Sequence, residues 1–217
     1  MSSFGMNFEK LWLASYPRSG NTFLRSIFYD CFGIVTGSAY YEENGDAGLL
    51  NLLGRGRDRE NDVDNRFSKT HDYPADDHPA IYIVRHGAAS IVSYRHYMKN
   101  FAGADIPLSD IISGNIMFGS WSDHYNTWQP ATRRQTLLVR YEDLVSSNQA
   151  SVIESIGDFI GIRPKNFFTK DFKKLQSIHD KFFRSGNNQN NISEFSDDDL
   201  KLFNAKHGKL MLELGYE

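Results

Sequence analysis

The sequence contains only one cysteine, Cys31, among 217 residues. A single thiol excludes an intrachain disulfide framework and any site built from several thiolates. No stretch approaches the run of about 20 apolar residues that spans a bilayer. The first ten residues also lack the basic and apolar regions of a secretory signal. We therefore expect a cytoplasmic protein that does not enter the membrane.

An excess of positive charge is also missing. Lys and Arg total 24 against 27 Asp and Glu, which gives a formal net charge of −3. This balance argues against a general nucleic-acid binder, because such proteins carry surplus basic residues that neutralise phosphates. A local basic pocket remains compatible with it. The length fits one domain, so we interpret residues 1–217 as a single domain.

Short apolar runs have the composition of buried strands, and three of them are followed by apolar residues at helical spacing. These three runs are Leu11–Tyr16, Ala80–Arg85 and Thr136–Tyr141, and a shorter candidate strand is Arg66–Thr70. Repeated strand-then-helix units predict an α/β fold with a central, mainly parallel sheet flanked by helices.

Two other segments have an informative composition. Residues 37–65 contain five glycines and ten charged side chains. This composition is typical of a functional loop, so we predict a mobile flap there and not a domain boundary. Ser196–Asp199 has the pattern of a capping box with Asp in place of Glu, which predicts the start of a closing helix.

The loop after the first predicted strand has the residues of an anion site. Ligands of open parallel sheets bind beyond the carboxyl ends of the strands. A loop there that opens a helix offers free N–H groups and the positive end of the helix dipole. Gly20 permits close backbone approach, and Arg18 adds a fixed charge. Three short polar residues accompany them, namely Ser19, Asn21 and Thr22.

This loop, Tyr16-Pro-Arg-Ser-Gly-Asn-Thr-Phe23, resembles the 5′-phosphosulfate loop of sulfotransferases that use 3′-phosphoadenosine 5′-phosphosulfate. That family usually has Tyr-Pro-Lys-Ser-Gly-Thr-Thr-Trp there, and its fold is P-loop-NTPase-like. The resemblance implies that Arg18 replaces the lysine at the phosphosulfate bridge and that Phe23 lies against the adenine. It also implies that the 5′-phosphate is held by Ser19, Gly20, Asn21 and Thr22.

Further segments match the same family in the same order. Arg85 and Ser93 are eight residues apart, as are the family's two 3′-phosphate ligands. The acid that often follows that arginine is missing from this chain. Tyr141 matches a tyrosine that the family places near the adenine. Phe182-Phe-Arg184-Ser-Gly186 resembles the segment that closes over the 3′-phosphate, which implies contacts from Arg184, Ser185 and Gly186.

Lys69 and His71 alternate on a predicted strand, so we expect both side chains to face one site. Lys-Thr-His resembles the segment of small-molecule sulfotransferases in which the histidine is the general base. Histidine titrates near neutrality, which suits removal of a hydroxyl proton, while Lys69 and Arg18 stabilise charge on the leaving oxygen. Saccharide-acting branches use a glutamate after the first helix. Glu42 and Glu43 lie in a comparable place, so the choice of base stays open.

The resemblance thus implies transfer of a sulfonate group to an acceptor hydroxyl, on a small molecule or a saccharide, without a metal. The other histidines lack metal-binding spacing. Two alternatives stay open. One is an ATP-dependent small-molecule kinase, but Gly-Lys-Ser/Thr is missing and only Glu142-Asp143 is placed to bind magnesium. The other is a non-catalytic nucleotide-binding protein of the same fold. The sequence does not predict the oligomeric state.

Overall fold

The coordinates are those of a computed structural model, which describes residues 8–40, 47–55, 62–170, 172–179, 183 and 192–216. They contain a five-stranded sheet in which every paired strand is parallel to its neighbour. The strands are β1 (Leu11–Ala14), β2 (Val35–Ser38), β3 (Val63–Thr70), β4 (Ala80–Val84) and β5 (Thr136–Arg140). Their order across the sheet is β2-β3-β1-β4-β5.

Helices connect and cover these strands. They are α1 (Asn21–Ile27), α2 (Ala47–Leu52), α3 (Gly87–Phe101), α4 (Leu108–Ser113), α5 (Trp121–Trp128), α6 (Tyr141–Leu144), α7 (Gln149–Ile160), α8 (Phe172–Ile178) and α9 (Asp197–Glu213). A π-helical turn extends α1, and a 3₁₀ turn, Ile192–Glu194, precedes α9. The predicted capping box is confirmed, because Ser196 and Asp199 each accept the other's backbone N–H at the start of α9.

Side chains of the central strands alternate between two apolar layers, one on each face of the sheet. One layer contains Leu11, Leu13, Ile81 and Ile83 together with apolar residues of α1 and α7. The other contains Ala14, Ala80, Tyr82 and Val84 together with residues of α3, α5 and α9. Because helices cover both faces, the strands can consist of nearly continuous apolar runs, and the predicted architecture is confirmed.

The sheet differs from the prediction in two places. The strand expected at Arg66–Thr70 begins earlier, at Val63. The edge strand β2 was not predicted, because Val-Thr-Gly-Ser has no apolar run and its pairing with β3 is irregular after Thr36. The predicted flap, residues 37–65, overlaps the end of β2, all of α2 and the start of β3. Its mobility stays a prediction.

Candidate active site

The carboxyl ends of four strands meet at one edge of the sheet, and the sequence-predicted residues follow these ends. The loop Ser15–Gly20 leaves β1 and leads into α1. His71 follows β3, Arg85 follows β4, and Tyr141 follows β5. Parallel pairing of the strands therefore brings together segments that are far apart along the chain.

The predicted phosphate loop, Tyr16–Phe23, contains two residues with left-handed backbone conformations, Arg18 with φ 65° and Gly20 with φ 105°. A Cβ atom on Gly20 would collide with the ring of Tyr141 and lie 3.2 Å from Cδ1 of Ile83. Only glycine combines this positive φ with the absence of a Cβ atom at position 20. Arg18 tolerates its conformation at a cost, which is typical of residues whose side chain must be aimed at a functional site.

Two arginines and a serine converge beside this loop. Nε of Arg18 donates a hydrogen bond to Oγ of Ser93 at 3.2 Å, and a guanidinium nitrogen of Arg85 donates to the Arg18 carbonyl at 3.3 Å. Arg18 also lies over the ring of Tyr97, with 5.3 Å from Cζ to the ring centre. The structure thus brings together Arg18, which is expected at the phosphosulfate bridge, and Arg85 and Ser93, which are expected at the 3′-phosphate. These contacts restrain both guanidinium groups.

Tyr141 packs against both the loop after β1 and Arg85. Its ring touches Gly20, and the guanidinium of Arg85 lies 4.6 Å from its ring centre. Burial raises the pKa of the Tyr141 hydroxyl, while the positive charge of Arg85 lowers it. The aromatic face presented to Arg85 favours a cation there.

The polar residues of the loop divide into outward and inward groups. Ser19 is buried, with its Oγ 3.3 Å from Oγ of Ser90. The Asn21 side chain is only 4% exposed, and its Nδ2 donates to the Leu13 carbonyl at 2.7 Å and to Oγ of Ser15 at 3.2 Å. Asn21 can therefore offer a phosphate its backbone N–H but not its amide side chain. Thr22, in the first turn of α1, is half-buried.

Phe23 is buried in the apolar layer beneath the loop. Its ring makes edge contacts with Phe168, at 5.2 Å between centroids, and with Tyr141, at 6.3 Å. These contacts make Phe23 part of the core that supports the loop. Its expected role against an adenine ring stays a prediction.

The imidazole of His71 is held by the phosphate loop. Nδ1 of His71 lies 2.7 Å from the carbonyl oxygen of Ser15 and 3.3 Å from its Oγ. Because a carbonyl oxygen only accepts, Nδ1 carries the proton, and Nε2 therefore carries the lone pair. Within the described residues no hydrogen bond occupies Nε2. Burial, followed by the charge of Lys69, lowers the pKa of His71 well below its usual range, so the ring is neutral at pH 7.

Two further side chains fix the backbone of His71. Its N–H donates to Oη of Tyr40 at 2.6 Å, and its carbonyl accepts from Nε2 of His124 at 2.9 Å. Nδ1 of His124 in turn accepts from the hydroxyl of Tyr82 at 2.7 Å, and burial lowers the His124 pKa to about 4. His124 is therefore a neutral hydrogen-bond bridge, which agrees with its lack of metal-binding spacing.

An aromatic enclosure surrounds the ring of His71. Tyr40 stacks on it at 5.9 Å between centroids with an interplanar angle of 16°. Phe118 makes an edge contact at 5.7 Å, from a left-handed backbone with φ 74° that is rare for a bulky residue. Nζ of Lys69 lies 5.7 Å from the Tyr40 ring centre, so Lys69 and His71 both lie beside this ring.

Sequence reasoning missed three residues that position His71, namely Ser15, Tyr40 and His124. Ser15 lies near the end of the predicted strand Leu11–Tyr16, and that position was the only signal available for it. Tyr40 follows the unpredicted β2, and His124 belongs to α5, so no local pattern relates either of them to His71.

Several expected site residues lie outside the described residues. They are Arg184, Ser185, Gly186, Glu42 and Glu43. Their expected roles stay predictions. Among the described residues, no group of three or more His, Cys, Asp or Glu side chains could hold a metal ion. In the same part of the chain, no helix is both long and apolar enough to cross a bilayer.

Comparison with protein families and curated proteins gives one consistent result. A family model described as a sulfotransferase domain matches residues 8–211. Sulfotransferase 2A1 of Mus musculus is 24% identical over 217 residues, covering 92% of this chain and 74% of that protein. Sulfotransferase 1B1 of Mus musculus is 29% identical over 86 residues, which are 37% of this chain. That match spans only 29% of the relative's own length.

Comparison with solved structures agrees with the fold. The chain is similar to the crystal structure of mouse sulfotransferase SULT7A1 complexed with PAP, with a TM-score of 0.69 and 20% identity. The superposition covers 98% of this chain and 90% of that one.

Proposed function

Because the chain belongs to the sulfotransferase domain family, we propose that it transfers a sulfonate group from 3′-phosphoadenosine 5′-phosphosulfate to an acceptor hydroxyl, with His71 as general base. One observation carries the proposal. The Ser15 carbonyl, at the entry to the phosphate loop, holds Nδ1 of His71 at 2.7 Å. Donor loop and base are therefore fixed relative to each other, and Nε2 is the nitrogen available to a substrate proton.

The residues present fit such a donor. Gly20 leaves a cradle that a Cβ would fill, and α1 begins at its edge. Arg18 and Arg85 supply two permanent charges beside this loop, where Arg85 donates to the Arg18 carbonyl, and this suits the two phosphate-bearing ends of the nucleotide. The mouse sulfotransferase with the same fold was crystallised with PAP. The donor, when bound, supplies the sulfonate group and the 3′,5′-bisphosphate leaving group.

In the proposed reaction, Nε2 of His71 accepts the proton of the acceptor hydroxyl as its oxygen bonds to sulfur. The bond between sulfur and the bridging oxygen breaks, and that oxygen leaves with the bisphosphate. Negative charge that grows on this oxygen is stabilised by Lys69 and Arg18. A well-placed charge of this kind contributes about 3–4 kcal/mol to stabilisation of the transition state.

We propose a small, ring-containing alcohol or phenol as acceptor. The aromatic rings of Tyr40 and Phe118 border His71, and such rings bind apolar or planar groups well. A polar hydroxyl on that molecule can then reach Nε2, while its apolar body remains against the rings.

The kinase alternative is less consistent with the geometry. Of the two acids expected to bind its magnesium, Asp143 accepts the Asn148 side-chain amide at 3.2 Å, and Glu142 accepts the His86 backbone N–H at 3.0 Å with one oxygen. Its second oxygen accepts the hydroxyl of Tyr216 at 2.8 Å. Both carboxylate oxygens of Glu142 are thus used in structural hydrogen bonds.

Three measurements test the proposal. First, incubation with labelled donor and a panel of phenols and alicyclic alcohols should yield a labelled sulfate ester and adenosine 3′,5′-bisphosphate. Second, adenosine 3′,5′-bisphosphate should raise the melting temperature more than ATP with magnesium does; the reverse order would favour the kinase.

Third, His71→Ala should abolish transfer. Full transfer by this variant would refute the base assignment, and no transfer by wild type to any acceptor would favour a binding protein.

A further inference from the structure

Tyr216 lies at the same edge of the sheet as the phosphate loop, although it is distant from it in sequence. Its side chain is only 6% exposed. Cζ of Arg140, the last residue of β5, lies 4.3 Å from the centre of the Tyr216 ring, and the His86 ring makes an edge contact at 5.4 Å. Arg140 also donates a short hydrogen bond to the Leu214 carbonyl. The turn after α9 is thus attached to the ends of β4 and β5.

Glu142 links this turn to the arginine that follows β4. One carboxylate oxygen accepts the Tyr216 hydroxyl at 2.8 Å, and the other accepts the backbone N–H of His86 at 3.0 Å. His86 is the residue after Arg85 and immediately precedes α3. A carboxylate held from both sides restrains this backbone more tightly than one held from a single side.

We propose that Tyr216 is a positioning residue for recognition of the donor's 3′-phosphate, because through Glu142 it holds the backbone that aims Arg85. The inference rests on the proposed function, in which Arg85 and Ser93 bind that phosphate. Glu142 provides the carboxylate at this backbone from a different segment of the chain.

The hydroxyl can be removed without removing the ring. Tyr216→Phe keeps the packing against Arg140 and His86 but leaves Glu142 without the donor on one oxygen. With this hydrogen bond removed, the Glu142 carboxylate and the segment after β4 should sample more positions. Binding that depends on Arg85 should weaken, whereas binding by the phosphate-loop backbone should not.

Calorimetric titration of the full chain tests this with adenosine 3′,5′-bisphosphate and adenosine 5′-monophosphate, which differ only in the 3′-phosphate. Wild type should bind the bisphosphate more tightly. Tyr216→Phe should lower the bisphosphate affinity by about fivefold and the monophosphate affinity by less than about twofold. Equal losses for both ligands, or no loss, would overturn the positioning role. A wild type that does not distinguish the ligands would overturn the proposed 3′-phosphate site as well.

Two further variants complete the test. Glu142→Gln has one acceptor oxygen instead of two, so it should show the same selective loss, and it replaces Tyr216→Phe if that variant does not fold. Tyr125→Phe is the matched control, since Tyr125 is 8% exposed and near Arg140 but has no hydrogen bond to Glu142. It should keep the wild-type ratio of affinities. The same loss of ratio in this control would contradict the inference.

Discussion

The proposed phosphate loop and the proposed base, His71, lie against each other in the candidate site, yet different parts of the chain hold them in position. The loop is one continuous segment, Tyr16–Phe23, whose shape follows from its own backbone and from the helix it opens. His71 is held by Ser15, Tyr40 and His124, which come from three separate segments. The loop, or donor side, therefore takes its backbone conformation mainly from one segment, although Ser93, Arg85 and Tyr141 contact it. The position of His71, or base side, depends on packing between distant segments. Substitutions can separate the two.

Removal of the base should produce the largest separation. His71→Gln keeps much of the side-chain volume but loses a nitrogen that can accept a proton at neutral pH. We expect kcat to fall by about 10²- to 10⁴-fold. The affinity for adenosine 3′,5′-bisphosphate should stay within about twofold of wild type, because the phosphate loop is unchanged. Single-turnover transfer and calorimetric titration measure the two quantities.

His78→Gln is a suitable control, because His78 is half-buried and pairs with Asp76 away from the loop. It should leave both quantities unchanged. A kcat for His71→Gln close to that of this control would exclude His71 as base and direct attention to the acids at 42 and 43.

Removal of the Lys69 charge should change both the rate and its pH dependence. The neutral imidazole is the active form of the base, so activity falls as pH decreases through the His71 pKa. Burial lowers that pKa most, and the charge of Lys69 lowers it further. Lys69→Met should therefore raise the His71 pKa and move the acidic limb of the kcat profile to higher pH. Loss of the charge near the leaving oxygen should also reduce kcat by about 100-fold.

Lys201→Met provides the control, since Lys201 is exposed on α9 and pairs with Asp198 at 3.0 Å. Its profile should coincide with that of wild type. An acidic limb that stays in place in Lys69→Met would show that Lys69 does not act on His71.

The donor side should fail selectively when the cradle is filled. Gly20→Ala forces a left-handed alanine, at a cost of about 1–2 kcal/mol, and pushes against Tyr141. We expect the affinity for the bisphosphate to fall by tenfold or more, because a displacement of the loop that costs about 1.4 kcal/mol of binding free energy corresponds to a factor of about ten. Gly103→Ala has similar backbone strain, at φ 66°, but no atom within 4 Å, so it should lose stability without losing affinity. Equal affinities in the two variants would mean that the cradle does not bind the donor.

The contrast between loop and base also explains what the sequence could predict. Leu11–Ala14 and Ala80–Val84 were recognisable because both faces of a parallel sheet are buried, which produces continuous apolar runs. Arg18 and Gly20 were recognisable because they belong to one continuous segment that follows a predicted strand. Edge strand β2 lacks such a run, and so the residue that follows it, Tyr40, could not be related to His71.

Side-chain direction was the other property that the sequence could not supply. Asn21 has the polarity of a phosphate ligand, but its amide is used by the Leu13 carbonyl and Ser15 Oγ. The packing of α1 on β1 turns the Asn21 amide inward to the Leu13 carbonyl, so that it does not face a bound anion. Spacing along the chain does not determine it.

The smallest expected effect tests the long-range part of the base side alone. Tyr40→Phe keeps the ring stacked on His71 and removes the oxygen that accepts the His71 N–H at 2.6 Å. The loss of one hydrogen bond of about 1 kcal/mol should reduce kcat by about fivefold and leave bisphosphate affinity unchanged. Tyr29→Phe, a tyrosine on the far side of α1 beside Gly54, serves as the control and should change neither quantity. If Tyr40→Phe weakened nucleotide binding as much as transfer, His71 and the donor loop would be coupled. Substitutions could then not affect transfer separately from nucleotide binding.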